Sequence, residues 1–261
     1  MGWPFVRTMI ARDVVESTSD LARELVVEDR YDLPLAVWTA RQTRGRGRGE
    51  NTWWSDAGSL TFTIGIDPAS HGIGTEQESR LALASAVAVI DAITPTAPGA
   101  SLGIRWPNDV EVDGRKLGGI LPERVMTPRG PRILIGIGLN VATPMGDAPA
   151  EVARMAVALT QLREAPLTLD DIESLLRAIL DRFGAILPRL AGDDPQLSER
   201  WDRLDTLRDR RVRVDLGPRI VAGMGRGIDA KGALCLAVDR ETVRIVGGRV
   251  LREPGFEVGR A

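Results

Sequence analysis

The sequence predicts an α+β protein, a mixed sheet flanked by helices, followed by a small all-β barrel. Three observations lead there. Short apolar segments with strand-like spacing recur as far as residue 141, interleaved with stretches of 3.6-residue helical spacing. A long amphipathic stretch over 169–190 follows the last of these strands. Beyond the charged run 208–211 only short strand candidates remain, separated by Gly or Asp, which is the spacing of a compact barrel. A chain of 261 residues with 43% hydrophobic and 27% charged residues suits one large domain plus a small one.

In chain order, Ser17-Thr18-Ser19-Asp20 precedes apolar residues at Leu21, Ala22, Leu25 and Val26, the signature of a capped helix start. Residues 35–40 read as a strand. Over 59–66, Leu60, Phe62, Ile64 and Ile66 alternate with Ser59, Thr61, Thr63 and Gly65, which predicts a half-buried strand. Residues 76–93 carry helical spacing. Residues 102–106 and 110–112 read as strands, and Asp113-Gly114 is a hairpin turn pair that leads into a returning strand over 116–121. Residues 132–141 form a continuous buried strand. The helix over 169–190 begins at Thr168 and is expected to end near Pro188, with another over 195–207. Segments 212–216, 220–224, 233–238 and 242–246 make the barrel. The expected domains are 1–208 and 209–261.

Several function classes are excluded. No apolar stretch approaches the roughly 20 residues of a membrane span, and residues 1–10 lack the order of a secretory signal. A single cysteine, Cys235, and a single histidine, His71, leave no cysteine-built metal site, disulfide or histidine triad. A net charge of −2 does not point to non-specific nucleic-acid binding. A cytoplasmic protein is expected. Among 34 Lys and Arg residues only Lys116 and Lys231 are lysines. Lys231 sits in a turn with only solvent expected around it, whereas Lys116 sits in the most specific stretch of the chain.

Four segments carry chemistry. Arg44-Gly45-Arg46-Gly47-Arg48-Gly49 combines close backbone approach with forked cationic donors, suited either to binding an anion or to a basic loop facing solvent or RNA. Trp53-Trp54 either closes over a flat ring or anchors the loop, with only one of the pair expected to be buried. Arg105-Trp106-Pro107-Asn108-Asp109 and Lys116-Leu117-Gly118-Gly119-Ile120 flank the hairpin turn, which would fold Lys116 back beside Asp109. Paired glycines weaken a strand unless a ligand or backbone must come close. Gly136-Ile137-Gly138-Leu139-Asn140 ends a buried strand with two glycines and an amide.

Together with Ser17-Thr18-Ser19, Gln42 and Trp53, these blocks resemble biotin protein ligase in order and spacing from about residue 12 to residue 141. The segments 226–234 and Gly247-Gly248 resemble that family's small C-terminal barrel. The resemblance implies a catalytic domain related to class II aminoacyl-tRNA synthetases and an SH3-like C-terminal domain. It implies formation of biotinyl-5'-AMP from biotin and ATP, then transfer of biotin to a lysine of a biotin carboxyl carrier protein domain. It also implies site residues: Ser17, Thr18, Ser19, Gln42, Gly45, Arg46, Lys116 and Gly119 at biotin, and Arg48, Trp53, Asn108, Asp109, Gly138 and Asn140 at the adenylate. Arg46, Arg48, Lys116 and Asp109 are the expected catalytic groups. Mg²⁺ is expected to arrive on the ATP phosphates, with no protein-only metal site. The chain is read as opening directly on the catalytic domain, so DNA is not an expected partner, and with no stretch long enough to span it a membrane is not expected either.

The chemistry suits these residue types. A carboxylate and a triphosphate repel each other, so fixed cations must screen them and stabilise charge growing on phosphorus. An acceptor lysine, with a pKa of about 10.4 when unperturbed, needs a neighbouring group to orient it or take its proton. This chain departs from the family pattern at Ser19, where Asn is usual, at Glu50-Asn51, where Gly-Arg is frequent, and at Arg105, where Lys is usual. A lipoate or octanoate ligase is the nearest alternative, and an RNA-binding module the alternative of another class.

Overall fold

The computed structural model describes residues 2–252, so the end of the expected 209–261 domain lies outside the described residues. Strand β1 (Thr8–Val15) runs parallel to β2 (Leu35–Gln42), and helix α1 (Thr18–Glu28) joins them. Ser17 has extended backbone and accepts from Asp20 N at 3.4 Å, the expected N-cap. β3 (Ser59–Ile66) is followed by the short α2 (Thr75–Glu78) and by α3 (Leu81–Ile93). Then come β4 (Leu102–Arg105), β5 (Asp109–Val112), β6 (Arg115–Thr127) and β7 (Gly130–Asn140). The resulting sheet has the order β1-β2-β3-β7-β6-β5-β4, antiparallel everywhere except between β1 and β2.

Period-two alternation gives this sheet two different faces. Leu60, Phe62, Ile64 and Ile66 of β3 and Ile133, Ile135, Ile137 and Leu139 of β7 enter the main core with α3 and α5 (Leu169–Ala191). The opposite face carries Thr61 and Thr63 of β3 and Gly136, Gly138 and Asn140 of β7. Helix α1 covers one end of that face through a smaller core of Ala22, Val26, Leu35, Val37 and Leu134. β3 is therefore buried at all of its positions, not on one side as expected, because α1 lies over its polar row. The rest of that face is open and holds the site.

Helices α4 (Ala150–Met155), α5 and α6 (Pro195–Arg203) lead to a second, five-stranded antiparallel sheet. Its strands are β8 (Arg211–Asp215), β9 (Ile220–Ile228), β10 (Leu234–Val238), β11 (Glu241–Ile245) and β12 (Arg249–Val250), in the order β11-β10-β9-β8-β12. This is the expected small SH3-like unit, and Val212, Val214, Leu234 and Leu236 join it to the main core.

Several expectations are corrected. The helix over 76–93 is broken before Leu81, where Arg80 turns inward to Asp193 (2.6 Å) and Ala230 O (3.3 Å). Helix α5 ends at Ala191, one residue past the expected 190, with Pro188 in its last turn. Lys231 does not face solvent alone, since it pairs with Glu76 at 3.0 Å.

Candidate functional site

Strand register aligns one row of residues across the open face. Thr39, Thr61, Gly138, Gly119, Asp109 and Arg105 are successive cross-strand partners on β2, β3, β7, β6, β5 and β4. The two central strands thus contribute no side chain, and the row is a trough with polar groups at both ends. A Cβ at Gly138 would lie 2.5 Å from the Trp53 ring, and one at Gly119 would lie 3.1 Å from Lys116 Nζ. Close approach therefore requires glycine at position 138, whereas a Cβ at position 119 would press on the Lys116 ammonium.

At one end, Gln42 Oε1 accepts from Thr18 N (2.7 Å) and Thr18 Oγ1 (3.1 Å). Thr63 Oγ1 donates to Thr18 Oγ1 (2.8 Å) and lies 3.2 Å from Ser19 Oγ. At the other end the β5–β6 hairpin turns at Asp113 and Gly114, with φ of 50° and 75°, the left-handed pair of a type I′ turn. As expected, this brings Lys116 Nζ to 2.7 Å from Asp109 Oδ1. Lys116 Nζ also lies 5.6 Å from the centroid of Trp53.

The basic loop closes the trough from above. Arg46 bridges to Thr52, Gly47 N donates to Asn51 O (2.8 Å), and Asn51 Nδ2 donates to Arg48 O (2.8 Å). Arg46 donates to Asp20 (2.8 Å) and to Glu123 (2.6 Å), and Glu123 also pairs with Arg23. Burial works against the Arg46 charge, but Glu123 and Asp20 outweigh it and hold its guanidinium above the ordinary arginine range. Arg48 reaches the second sheet, where it donates to Gly248 O at 2.5 Å.

A cavity of about 790 Å³ occupies the trough. Thr18, Ser19, Gln42, Arg46, Arg48, Trp53, Asn108, Asp109, Lys116, Gly119 and Gly138 all line it. A second cavity adjoins it across Trp53 and takes in Gly45, Trp54 and Asn140. Three expected residues therefore stand apart from the first cavity. Ser17 lines neither and is occupied as the cap of α1, Gly45 accepts from Trp53 N (2.9 Å), and Asn140 Nδ2 donates to Lys116 O (3.3 Å). Asn108 reaches the cavity but its amide donates to Ile120 O (2.8 Å), clamping β5 to β6. Trp53 and Trp54 are both half-buried, rather than one buried and one exposed. Trp53 Nε1 is buried with no hydrogen-bond partner among the described residues. No group of three or more His, Cys, Asp or Glu among the described residues could hold a metal ion.

The Biotin/lipoate A/B protein ligase family profile matches residues 11–140, and the Biotin protein ligase C terminal domain profile matches residues 209–252. The Biotin--[acetyl-CoA-carboxylase] ligase of Mycobacterium tuberculosis is 34% identical over 246 residues, which are 92% of this chain and 88% of that protein. The chain belongs to the biotin protein ligase family. The bifunctional ligase/repressor BirA of Escherichia coli is 30% identical over 246 residues, covering 91% of this chain and 71% of that one. In fold, the chain is similar to the solved biotin protein ligase from Aquifex aeolicus in complex with biotin and ATP, with a TM-score of 0.77 at 22% identity over 94% of this chain and 98% of that one.

Around the cavity stand residues that sequence reasoning missed. Thr63 carries a signal, the polar side of the β3 alternation, yet it is fully buried. Asp20 and Glu123, which hold Arg46, lie 103 positions apart (123 − 20) and meet only in the fold. Arg249 and Arg252 line both cavities and come from the far end of the chain.

Proposed function

We propose that this chain is an ATP-dependent ligase that activates biotin as biotinyl-5'-AMP and transfers it to a lysine of a biotin carboxyl carrier protein domain. The observation that carries the reading is the glycine trough between a neutral hydrogen-bonding end and a cationic end. An elongated ligand with a polar, uncharged head and an anionic tail matches it. The ureido ring of biotin would lie against Thr18, Ser19 and Gln42, its body over Gly119, and its carboxylate toward Lys116. Membership of the family and the similarity to the Mycobacterium tuberculosis ligase support the same substrates.

In the first half-reaction the biotin carboxylate attacks the α-phosphorus of ATP and pyrophosphate leaves. Lys116 is the cation best placed for the growing charge, since Asp109 fixes its ammonium at 2.7 Å and Gly119 leaves room beside it. Arg48 supplies a second cation from the loop. Arg46 screens the same charge by exchanging one of its two carboxylate partners for the ligand. Trp53 separates the biotin cavity from the adjoining one, where Asn140 would meet the nucleotide. In the second half-reaction the acceptor amine attacks the mixed anhydride and AMP leaves, with Asp109 orienting the amine or taking its proton. Mg²⁺ would arrive on the nucleotide phosphates and screen their charge.

We further assign residues 1–208 to catalysis and 209–261 to the C-terminal domain, and a cytoplasmic location, supported by the need for ATP and a carboxylase acceptor. Biotin-dependent exchange between ATP and labelled pyrophosphate tests the reading. Exchange with biotin and none with lipoate is expected. Exchange with lipoate alone would replace biotin as the substrate.

A further inference from the structure

A buried acid lies beneath the cationic end of the site with no role in the chemistry above. Glu111 is two residues beyond Asp109 on β5, so alternation places both on the face of the trough. Asp109 is open to the cavity, whereas Glu111 is 1% exposed and its Oε2 has no hydrogen-bond partner among the described residues. Burial of Glu111 follows from its register partner Gly103, where a Cβ would strike Thr206, so the segment from Leu204 to Thr206 packs directly over the strand. A buried carboxylate costs several kcal/mol unless it is paired, and an apolar residue would serve folding better there.

Two arginines flank Glu111. Arg252 Nη2 lies 3.8 Å from Glu111 Oε2, and Arg252 Nη1 donates to Gly114 O at 2.9 Å. Gly114 is in the turn that aims Lys116, and Lys116 is the register partner of Glu111. Arg105 donates to Leu251 O at 3.3 Å, and both Arg105 and Arg252 line the cavity. Burial, followed by the repulsion of Arg252, lowers the Arg105 pKa, and Glu111 opposes that shift. Without Glu111 the two arginines lose a shared counter-charge, and Asp109 alone would offset the repulsion that Arg252 and Arg210 exert on Arg105.

We propose that Glu111 is a positioning residue for the nucleotide, holding Arg252 in the cavity wall and against the Lys116 turn. The inference rests on the ligase reading for the identity of the nucleotide. The polyphosphate of ATP is the anion this pair of arginines fits, because biotin carries one charge and Lys116 already faces it.

The test compares the full-length parent with Glu111→Gln, Glu111→Asp, Arg252→Met and the Glu111→Gln/Arg252→Met double variant. ATP affinity is read by titration, and KM for ATP and for biotin by pyrophosphate exchange. Glu111→Gln should weaken ATP roughly tenfold, the scale of one charge-assisted contact, while KM for biotin stays within about twofold. Glu111→Asp should recover part of the loss, and the double variant should be no worse than Arg252→Met alone. Unchanged ATP affinity in Glu111→Gln, losses that multiply in the double variant, or equal losses for ATP and biotin with a lowered melting temperature would each overturn the proposal. A parent that binds ATP but exchanges no pyrophosphate would overturn the ligase reading, and the affinities alone would then decide on Glu111.

Discussion

Replacing Lys116 by arginine keeps the charge and changes only its shape, so the outcome reports on geometry. The ammonium sits in a slot with three walls: Asp109 Oδ1 at 2.7 Å, the Trp53 ring centroid at 5.6 Å and the bare backbone of Gly119, where a Cβ would be only 3.1 Å from Nζ. A guanidinium is planar, larger, and spreads its donors in a fixed fork. It would either press on Gly119 or turn out of the slot, and in both cases the donor to the reacting phosphate is misplaced. Loss of one such preorganised donor costs about 2.7–4 kcal/mol at the transition state, or roughly 100- to 1,000-fold in rate. Stability should change little, because the Lys116–Asp109 pair is partly exposed (31% and 20%) and contributes on the order of 1 kcal/mol at most. We therefore expect Lys116→Arg to retain its circular dichroism spectrum and lose at least about 100-fold in biotin-dependent pyrophosphate exchange. Exchange near the parent rate would mean that Lys116 is half of a structural ion pair and that the site assignment is wrong.

Four further outcomes follow from the same geometry. Lys231→Arg should be nearly silent in exchange and in melting temperature, since its pair with Glu76 is exposed on both sides; a large activity loss would contradict this. Residues 44–51 should be cleaved by protease more slowly with biotin plus ATP than without them, because the ligand adds anionic partners for the loop arginines, and equal rates would refute that. Glu50→Gly should slow release of biotinyl-AMP in a chase experiment by removing a negative charge beside Arg48. Asn51 is better left in place, because its amide holds Arg48 O; unchanged or faster release would refute the expectation. Burial raises the Asp205 carboxyl to about 6, against an accepting bond from Leu207 N. The folded state thus binds this proton more tightly than the unfolded state, and its contribution to stability falls as pH rises from about 4 to about 6 and stays lowered above. Asp205→Asn should gain up to about 3 kcal/mol in denaturant unfolding near pH 8 and nothing near pH 3.5, whereas an equal loss at both would show that the hydrogen bonds, not the charge, matter.

Much of this architecture was legible because burial imposes a period. The α3 and β3 segments carry it, β7 is legible as a continuous apolar run, and the capping residues Ser17 and Thr168 mark the starts of α1 and α5. Strand β1 escaped because it is a sheet edge with most of its later residues exposed, which leaves no alternation to read. The break before α3 escaped because Arg80 is consistent with a helix locally and is turned inward only by Asp193 and the Ala230 carbonyl. β12 is two residues long and exists through its pairing with β8. At the site, the Asp109–Lys116 contact was legible because a two-residue turn fixes the register of a hairpin. The partners of Arg46, and the cavity arginines Arg249 and Arg252, were not, because contacts between distant parts of the chain leave no spacing in the sequence.

The central claim is that the trough makes and holds a biotinyl adenylate. The most direct test incubates the protein with biotin, ATP and Mg²⁺, removes free ligand, and examines the protein fraction by mass spectrometry for retained small molecules and the filtrate for pyrophosphate. The account predicts biotinyl-5'-AMP bound to the protein, with pyrophosphate released and both lost in Lys116→Arg. Recovery of unreacted biotin and ATP from the folded parent, or of an adenylate formed equally well by Lys116→Arg, would contradict it.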